Sequence, residues 1–357
     1  MNDKLKKEIS TPALIIDKRK LEKNIKTMAK FAKNNKINLR PHVKTHKCPI
    51  IARMQIEAGA KGITVAKVSE AEVFVKNGFN DILIANEIVS EEKIIKLLEL
   101  AKENTISVAV DSIKNVKDLD RLSSKLQIEL NILIDIDVGL CRTGIKPGEP
   151  ALELAQLVSK APMLNLKGIM GYEGHLSFIK DPEEKETKTR ICMQKLIDTK
   201  TLFEDNSLKV SVISAGGTPT YKYAGSYPGI TEIQPGTYVF MDHHYAPMLP
   251  EFEITLTILT TIISKPIKRM ATLDMGSKSV YYDGYPKFIE SRKIKVQVLT
   301  EEHCQVTYRG INLEIADKIQ AIPAHVCPTV NLYNYFTVIE DNELIGTWKI
   351  SARGKNI

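Results

Sequence analysis

The sequence predicts an α/β protein, a (β/α)8 barrel of the TIM type followed by a mostly β C-terminal domain. Two observations carry this. Between about residue 37 and residue 240, eight short runs rich in Ile, Val and Leu alternate with longer amphipathic segments; near-continuous apolar runs are what strands buried on both faces require. After residue 245 the long helical patterns stop, and alternation with a period of two takes over in "FEITLTILTTIISKPI" and "KIKVQVLTEEHCQVTYRG", the signature of an all-β domain beginning near 246. Eight strand–helix repeats point to a closed barrel; a doubly wound open sheet is the alternative topology. A chain of 357 residues suits one large domain plus a smaller one.

In chain order the runs are "INLRPHVK", "GITVAK" (62–67), "DILIAN" (81–86), "ISVAVD" (106–111), "LNILIDID" (130–137), "LKGIMGY" (166–172), "VSVISAG" (210–216) and "EIQPGTYVF" (232–240). Helical patterns between them include "SEAEVFVKNG", "SEEKIIKLLELAKEN" and "SIKNVKDLDRLSSKL", each opening on a serine that suits an N-cap. Lys plus Arg exceed Asp plus Glu by seven, but the charges are dispersed. That pattern argues against nucleic acid as a partner and leaves room for a small anionic ligand bound locally. The N-terminal apolar run is too short for a signal segment or a spanning helix, so a cytoplasmic protein without membrane attachment is expected. Five cysteines (Cys48, Cys141, Cys192, Cys304, Cys327) form no CxxC and no even framework, as expected of reduced thiols.

In a barrel of this kind the chemistry sits at the C-terminal ends of the strands. Those positions hold Lys44, Lys67 and Asn86, then Asp135 or Asp137 with Arg142, then Tyr172 and His175, then "AGGT" and "GTY". "SAGGTPT" (214–220) and "QPGTY" (234–238) read as a phosphate cradle. Gly216, Gly217 and Gly236 let backbone N–H groups approach an oxyanion, and Thr218, Thr237 and Tyr238 add hydroxyl donors. A phosphate anchor opposite a strand-end lysine suggests pyridoxal 5'-phosphate, whose aldehyde condenses with a lysine amine that burial helps to keep neutral. Lys44 or Lys47 of "RPHVKTHK" could serve; Lys44, nearer the strand, is the choice on expected enclosure. The plain alternative is a solvated basic turn. Arg142 suits the cofactor's phenolate oxygen, and Tyr172 its ring; a surface arginine and a core tyrosine are the bland readings.

A second constellation lies in "AHVCPTVN" (324–331). On an extended chain His325 and Cys327, two apart, share a face, and imidazole with thiolate makes half of a zinc site whose remaining positions stay open. A buried cysteine beside a structural histidine is the competing reading. Glu301, Glu302 and His303 of "TEEHC" are weaker ligand candidates, and Asp274 and Asp283 are given no role.

"STPALIIDKRKLEKNI", "RPHVKTHK", "AKVSEAE", "DILIANE", "IDVGLCRTG", "YEGH", "GGTPT", "TEIQPGTYVFMD" and "HVCPTVNL", in this order from about residue 10 to the end, together resemble the D-threonine aldolase and D-serine dehydratase family, a branch of the alanine-racemase-like, fold-type III pyridoxal-phosphate enzymes. The resemblance implies a barrel over residues 17–245 and a β domain over 246–357, joined by the N-terminal strand of residues 1–16. It places the cofactor lysine on Lys44 and the metal pair on His325 and Cys327, and it implies a homodimer. The racemases' opposite-face tyrosine has no match here. Cys327 departs from the aldolases' aspartate and matches the dehydratases; a soft thiolate favours zinc over manganese or magnesium.

The resulting expectation is a metal-assisted lyase of β-hydroxy-D-amino acids. D-threonine aldolase chemistry, giving glycine and an aldehyde, stands first. D-serine dehydratase chemistry, giving pyruvate and ammonia, is the alternative. A non-catalytic pyridoxal-phosphate protein and an amino-acid racemase are remoter ones.

Overall fold

The computed structural model describes residues 1–357 and divides into two compact units. One comprises Ala29–Lys44, Ala52–Gly236 and Lys355–Ile357, the other Met1–Met28, Thr45–Ile51 and Thr237–Gly354. The chain opens with α1 (Asp3–Glu8), β1 (Ala13–Asp17) and α2 (Lys18–Asn34). It then runs β2 (Asn38–Leu39), α3 (Pro49–Glu57), β3 (Ile63–Val65), α4 (Val68–Lys76), β4 (Asp81–Glu87), α5 (Glu91–Ala101) and β5 (Thr105–Val110). Next come α6 (Ile113–Leu126), β6 (Leu130–Asp135), α7 (Glu149–Lys160), β7 (Leu164–Met170), α8 (Pro182–Asp205), β8 (Val212–Ala215), α9 (Tyr221–Gly225) and β9 (Glu232–Ile233).

Strands β2 to β9 form the first unit's eight-stranded sheet, ordered β2-β9-β8-β7-β6-β5-β4-β3, with every pairing parallel. Beyond β2 the chain bridges back to β3 through His42 and Thr64, and Thr64 N donates to Pro41 O at 2.8 Å. The sheet therefore closes, which excludes the open doubly wound alternative. Leu83, Ala109, Leu133 and Met170 pack together inside it. At the N-terminal end of the strands, Arg40 (7% exposed) bonds Glu232 Oε2 at 2.8 Å and Asp81 Oδ1 at 2.7 Å. A buried guanidinium needs such partners. Gly168 lets β7 and β8 approach, because a Cβ there would lie 1.9 Å from Val212 O.

The helices bury one face each, as in α6, where Val116, Leu119, Leu122 and Ser123 point inward. Ser90 and Ser112 occupy N-cap positions, but neither side chain bonds the helix, and Ser69 falls inside the first turn of α4. Acidic residues serve the starts of α4 and α5 instead, whereas the first turn of α6 has none. Glu70 accepts from Ala66 N at 2.7 Å, and Glu91 and Glu92 lie in the first turn of α5, where the helix dipole favours negative charge.

The other unit adds β10 (Leu256–Ser264), β11 (Met270–Leu273), β12 (Lys287–Phe288), β13 (Lys295–Leu299), β14 (Cys304–Thr307), β15 (Lys318–Ile322), α10 (Val326–Val330), β16 (Tyr335–Glu340) and β17 (Glu343–Lys349). Its nine-stranded sheet runs β13-β14-β11-β10-β1-β16-β17, with β15 pairing β10 and β12. β1 sits in the middle, antiparallel to β10 and parallel to β16. Leu5, Ile9, Ala13, Ile15, Leu259 and Ile339 pack around it. Asp274, without a role at the level of sequence, ties this sheet together by accepting from Thr260 Oγ1, Thr261 N and Thr11 Oγ1. No helix is long and apolar enough to cross a membrane.

Candidate active site

The segment "RPHVKTHK" is not a solvated basic turn: Arg40, Val43, Thr45, His46 and Lys47 are all buried. Its centre is a 3-10 turn, Val43–Thr45, so strand alternation does not extend to the lysines. Lys47 is the more enclosed of the two at 7% exposed, whereas Lys44 is half-buried. Expected enclosure, the reason for preferring Lys44, thus fails because the turn replaces the strand.

In the barrel unit the loops after β6, β7 and β8 carry five of the expected cofactor residues, Arg142, Tyr172, Gly216, Gly217 and Thr218. The loop that carries Arg142 is built on Asp137, whose Oδ1 accepts from Gly139 N at 2.9 Å and Cys141 N at 3.0 Å. Burial works against the Asp137 charge, but these N–H groups outweigh it and hold its pKa below the ordinary value. Asp137 is therefore a loop builder. Gly144 closes the loop at φ +100°, where a Cβ would meet Asp137 N at 2.6 Å. The Arg142 guanidinium lies 5.4 Å from the centroid of the Tyr172 ring, in cation–π range.

That ring is walled by glycine. A Cβ on Gly217 would stand 3.0 Å from Tyr172 Cε2, and one on Gly174 2.4 Å from Cε1. Gly216 adopts φ +74°, and Thr218 is buried at 2% exposed. Beneath the Gly216–Gly217 turn, the fully buried Glu173 accepts from Thr220 Oγ1 and from Gly216 N; its burial pushes its pKa up. Gln234 N donates to Ala215 O at 3.2 Å and Gly216 O at 3.1 Å, lacing the turn that leads to Gly236 onto the Gly-Gly loop. Gly217 N donates to Thr220 Oγ1 at 3.2 Å, so the N–H groups of Gly216 and Gly217 are both engaged within the turn, which with the bordering tyrosine and arginine suits the flat ring of the cofactor.

A carboxyl cluster at the ends of β4, β5 and β6 goes beyond the sequence reading, which names Asp135 but neither Glu87 nor Asp111. Asp135, 5% exposed, accepts from Thr143 Oγ1 at 2.9 Å, and Asp111 accepts from Gly144 N at 3.2 Å. Burial, then the charge of Glu87, pushes the Asp135 pKa up to about 8, and Glu87 is raised as well. Both residues feel the Arg142 charge. The only sequence signal for this cluster is position at a strand end. Asn86 and Lys67 play structural parts: Asn86 Nδ2 donates to Ala66 O at 2.9 Å, and Lys67 is the N-cap of α4. His175 is exposed, and burial and Lys195 lower its pKa.

In the other unit His325 and Cys327 do meet, but not along a strand. His325 is the N-cap of α10 and Cys327 lies in its first turn. Burial pulls the His325 pKa down, but the Cys327 sulfur and Asp283 outweigh it and push it up to about 9. Asp283 Oδ2 stands 2.7 Å from His325 Nδ1. It leaves Nε2 for a cation and orients the ring as carboxylates behind metal-bound histidines do. The Cys327 sulfur lies 3.3 Å from Thr45 Oγ1 and 3.8 Å from Thr237 Oγ1. No group of three or more His, Cys, Asp and Glu side chains gathers in a metal-holding arrangement. One nitrogen and one sulfur fit a divalent ion whose remaining positions go to water or substrate oxygen. Glu301 and Glu302 do not contribute; both pair with Lys278 at the surface, at 3.7 and 2.7 Å. His303 is exposed beside them.

Comparison with known proteins matches residues 16–244 to the alanine racemase N-terminal domain and residues 255–339 to the putative serine dehydratase domain. The chain is 32% identical to the 3-hydroxy-D-aspartate aldolase of Paracoccus denitrificans (strain Pd 1222), over 98% of this chain and 93% of that one. It is 32% identical to the D-threonine aldolase of an Arthrobacter species, over 97% and 93%. The D-serine dehydratase of Dictyostelium discoideum is 25% identical, over 96% of each. The crystal structure of D-threonine aldolase from Filomicrobium marinum superposes with a TM-score of 0.96 at 31% identity, covering 98% of this chain and 97% of that one.

Proposed function

The chain belongs to the D-threonine aldolase and D-serine dehydratase family of alanine-racemase-like enzymes, pyridoxal-phosphate-dependent lyases of β-hydroxy-D-amino acids, and from that premise we propose that it is an aldolase of the D-threonine type. The observation that carries this reading is the near full-length identity of 31–32% to aldolases, against 25% to the D-serine dehydratase.

In the proposed site Lys44 holds the cofactor covalently. Arg142 faces its phenolate oxygen and Tyr172 packs on its ring. Gly216, Gly217, Thr218, Gly236, Thr237 and Tyr238 take the phosphate. His325 and Cys327 hold the divalent cation, which we take to be zinc because thiolate is a soft donor. Bound there, pyridoxal phosphate supplies an electron sink for charge developing at the substrate Cα, and the cation supplies Lewis acidity toward the β-hydroxyl. The chain's own task is then to choose which proton leaves. A base directed at the hydroxyl leads to Cα–Cβ cleavage, releasing glycine and an aldehyde. If the Lys44 amine instead takes the Cα proton, the β-hydroxyl leaves as water, and hydrolysis then releases a keto acid and ammonia.

Cys327 favours the second reading, D-serine dehydration, because the resemblance puts a cysteine at this position in the dehydratases. Incubation with D-threonine and with D-serine, followed by glycine and pyruvate assays, separates the two. Glycine without keto acid supports the aldolase; pyruvate from D-serine at a comparable rate overturns it. Borohydride reduction followed by peptide mass mapping should mark Lys44, and metal analysis should find zinc. A homodimer in the cytoplasm completes the reading, the dimer supported by the family resemblance. Light scattering should return twice the chain mass of 40.0 kDa.

A further inference from the structure

Next to the apolar layer inside the barrel lies a polar one. Side chains on one face of a strand recur every second residue. The inward layer of Leu83, Ala109 and Leu133 therefore has Asp81, Ser107 and Asn131 one step nearer the N-terminal ends of β4, β5 and β6. Ser107 and Asn131 face each other directly across β5 and β6. Residues that only stabilised this end of the barrel would be apolar and would fill it. Instead they line a cavity of about 200 Å³, whose wall also includes Arg40, Lys61, Lys167 and Glu232. The apolar layer stands between this cavity and the strand ends that lead to Arg142 and Tyr172. An occupant here is therefore distinct from the substrate and cofactor of the opposite face.

The wall carries three cations against two carboxylates, and both carboxylates are taken by one guanidinium. Arg40 Nε donates to Glu232 Oε2 at 2.8 Å, and Nη1 and Nη2 donate to the two Asp81 oxygens at 2.7 and 3.4 Å. Lys61 and Lys167 are exposed at the rim and have no ion-pair partner in the chain. Their backbone is nonetheless held. Lys61 N donates to Leu39 O at 2.9 Å, and Lys167 O accepts from Ser211 N and Ser211 Oγ at 3.0 and 2.8 Å. The half-buried side chains of Ser107 and Asn131 make no hydrogen bond within the chain, which leaves a hydroxyl and an amide facing the cavity. A planar carboxylate is best met by a guanidinium fork, and the fork here is occupied. Two ammonium point charges with single donors from separate strands suit a tetrahedral oxyanion instead, whose oxygens point in several directions. We propose that the N-terminal mouth of the barrel binds a small phosphate-bearing anion, with Lys61 and Lys167 supplying charge and Ser107 and Asn131 hydrogen bonds. Such a ligand ties strands together and stabilises the folded chain.

The test is calorimetric titration of the full-length chain with inorganic phosphate, and separately with succinate, after saturation with pyridoxal 5'-phosphate so that the opposite face is filled. Wild type should take up phosphate saturably, one per chain, and its unfolding temperature should rise with phosphate concentration. Lys61→Met combined with Lys167→Met should weaken phosphate roughly tenfold or more. Both lysines are exposed, so the double variant keeps the fold, which circular dichroism checks. Lys30→Met combined with Lys33→Met removes the same charge from exposed positions near the end of α2 and should bind phosphate as wild type does. Phosphate uptake that does not saturate overturns the proposal. So does equal affinity in wild type and the Lys61–Lys167 double variant, or an equal loss in the two double variants, which would mark a response to net charge alone. Succinate binding more tightly than phosphate also overturns it, because the site would then select carboxylates. The comparison between the two lysine pairs reads this mouth of the barrel whether or not the aldehyde reaches Lys44, so its failure is separate from failure of the proposed cofactor site.

Discussion

Replacing Asp135 by Asn probes the electrostatics of the strand-end cluster. Burial, followed by the charge of Glu87, raises the Asp135 carboxyl from its ordinary 3.8 to about 8. In the unfolded chain it ionises near its ordinary value, so between about pH 4 and pH 8 the unfolded state has shed a proton that the native state keeps. The raised carboxyl therefore lowers stability progressively as pH rises through that window, and the loss levels off above about pH 8, where both states are ionised. One pH unit is worth at most about 1.4 kcal/mol per proton, so four units set a ceiling of about 5–6 kcal/mol. Glu87 shares the proton, which brings the expected loss to about 2–4 kcal/mol. Asparagine keeps an acceptor for Thr143 Oγ1 and offers an N–H to Glu87, but does not titrate. Urea unfolding followed through Trp348 fluorescence at pH 5 and pH 8 is the assay. D135N should gain about 2–4 kcal/mol relative to wild type on going from pH 5 to pH 8. A mutant–wild-type difference that is the same at both pH values, within about 0.5 kcal/mol, would refute the reasoning.

Asp283→Ala removes the carboxylate 2.7 Å behind His325 and should weaken zinc binding roughly 10- to 100-fold in competition with a chromophoric chelator, without changing the fold. Gly217→Ala puts a methyl group 3.0 Å from the Tyr172 ring; the overpacking should weaken pyridoxal phosphate roughly tenfold in absorbance titrations and leave the circular dichroism unchanged. Asn24→Leu strips partners from Tyr238 O, Glu253 O and Glu253 N, bonded at 3.0, 2.8 and 2.9 Å to a side chain that is 0% exposed. It should cost about 2–4 kcal/mol in urea unfolding.

What could be read in advance, and what could not, follows from how far apart the determining contacts lie. Strands such as β4 and β6 are legible because parallel strands buried on both faces must be written as unbroken apolar runs. Once eight are counted, topology alone sends Arg142, Tyr172 and the Gly216–Gly217 turn to one end of the sheet, because each lies within a few residues of a strand end. The Gly217 contact with Tyr172 joins two such ends. A short helix is harder. α10 has five residues, too few to show a period, so His325 and Cys327 read as extended although the pairing itself is local. The turn at Val43–Thr45 defeats the choice between Lys44 and Lys47 in the same way, since enclosure there depends on a 3-10 reversal that no run of residue types announces. The proton shared by Glu87 and Asp135 needs β4 and β6, separated by β5 in the sheet, to present both carboxyls where water is scarce. The proposed metal pair shows the limit most clearly. His325 is oriented by a residue 42 positions away, and Cys327 meets hydroxyls 90 and 282 positions away. The proposed ligands are therefore visible as letters, but the groups that would aim them and set their strength are fixed only when the fold brings distant turns to one sulfur. Sequence spacing can nominate such a site; its tuning is a property of the fold.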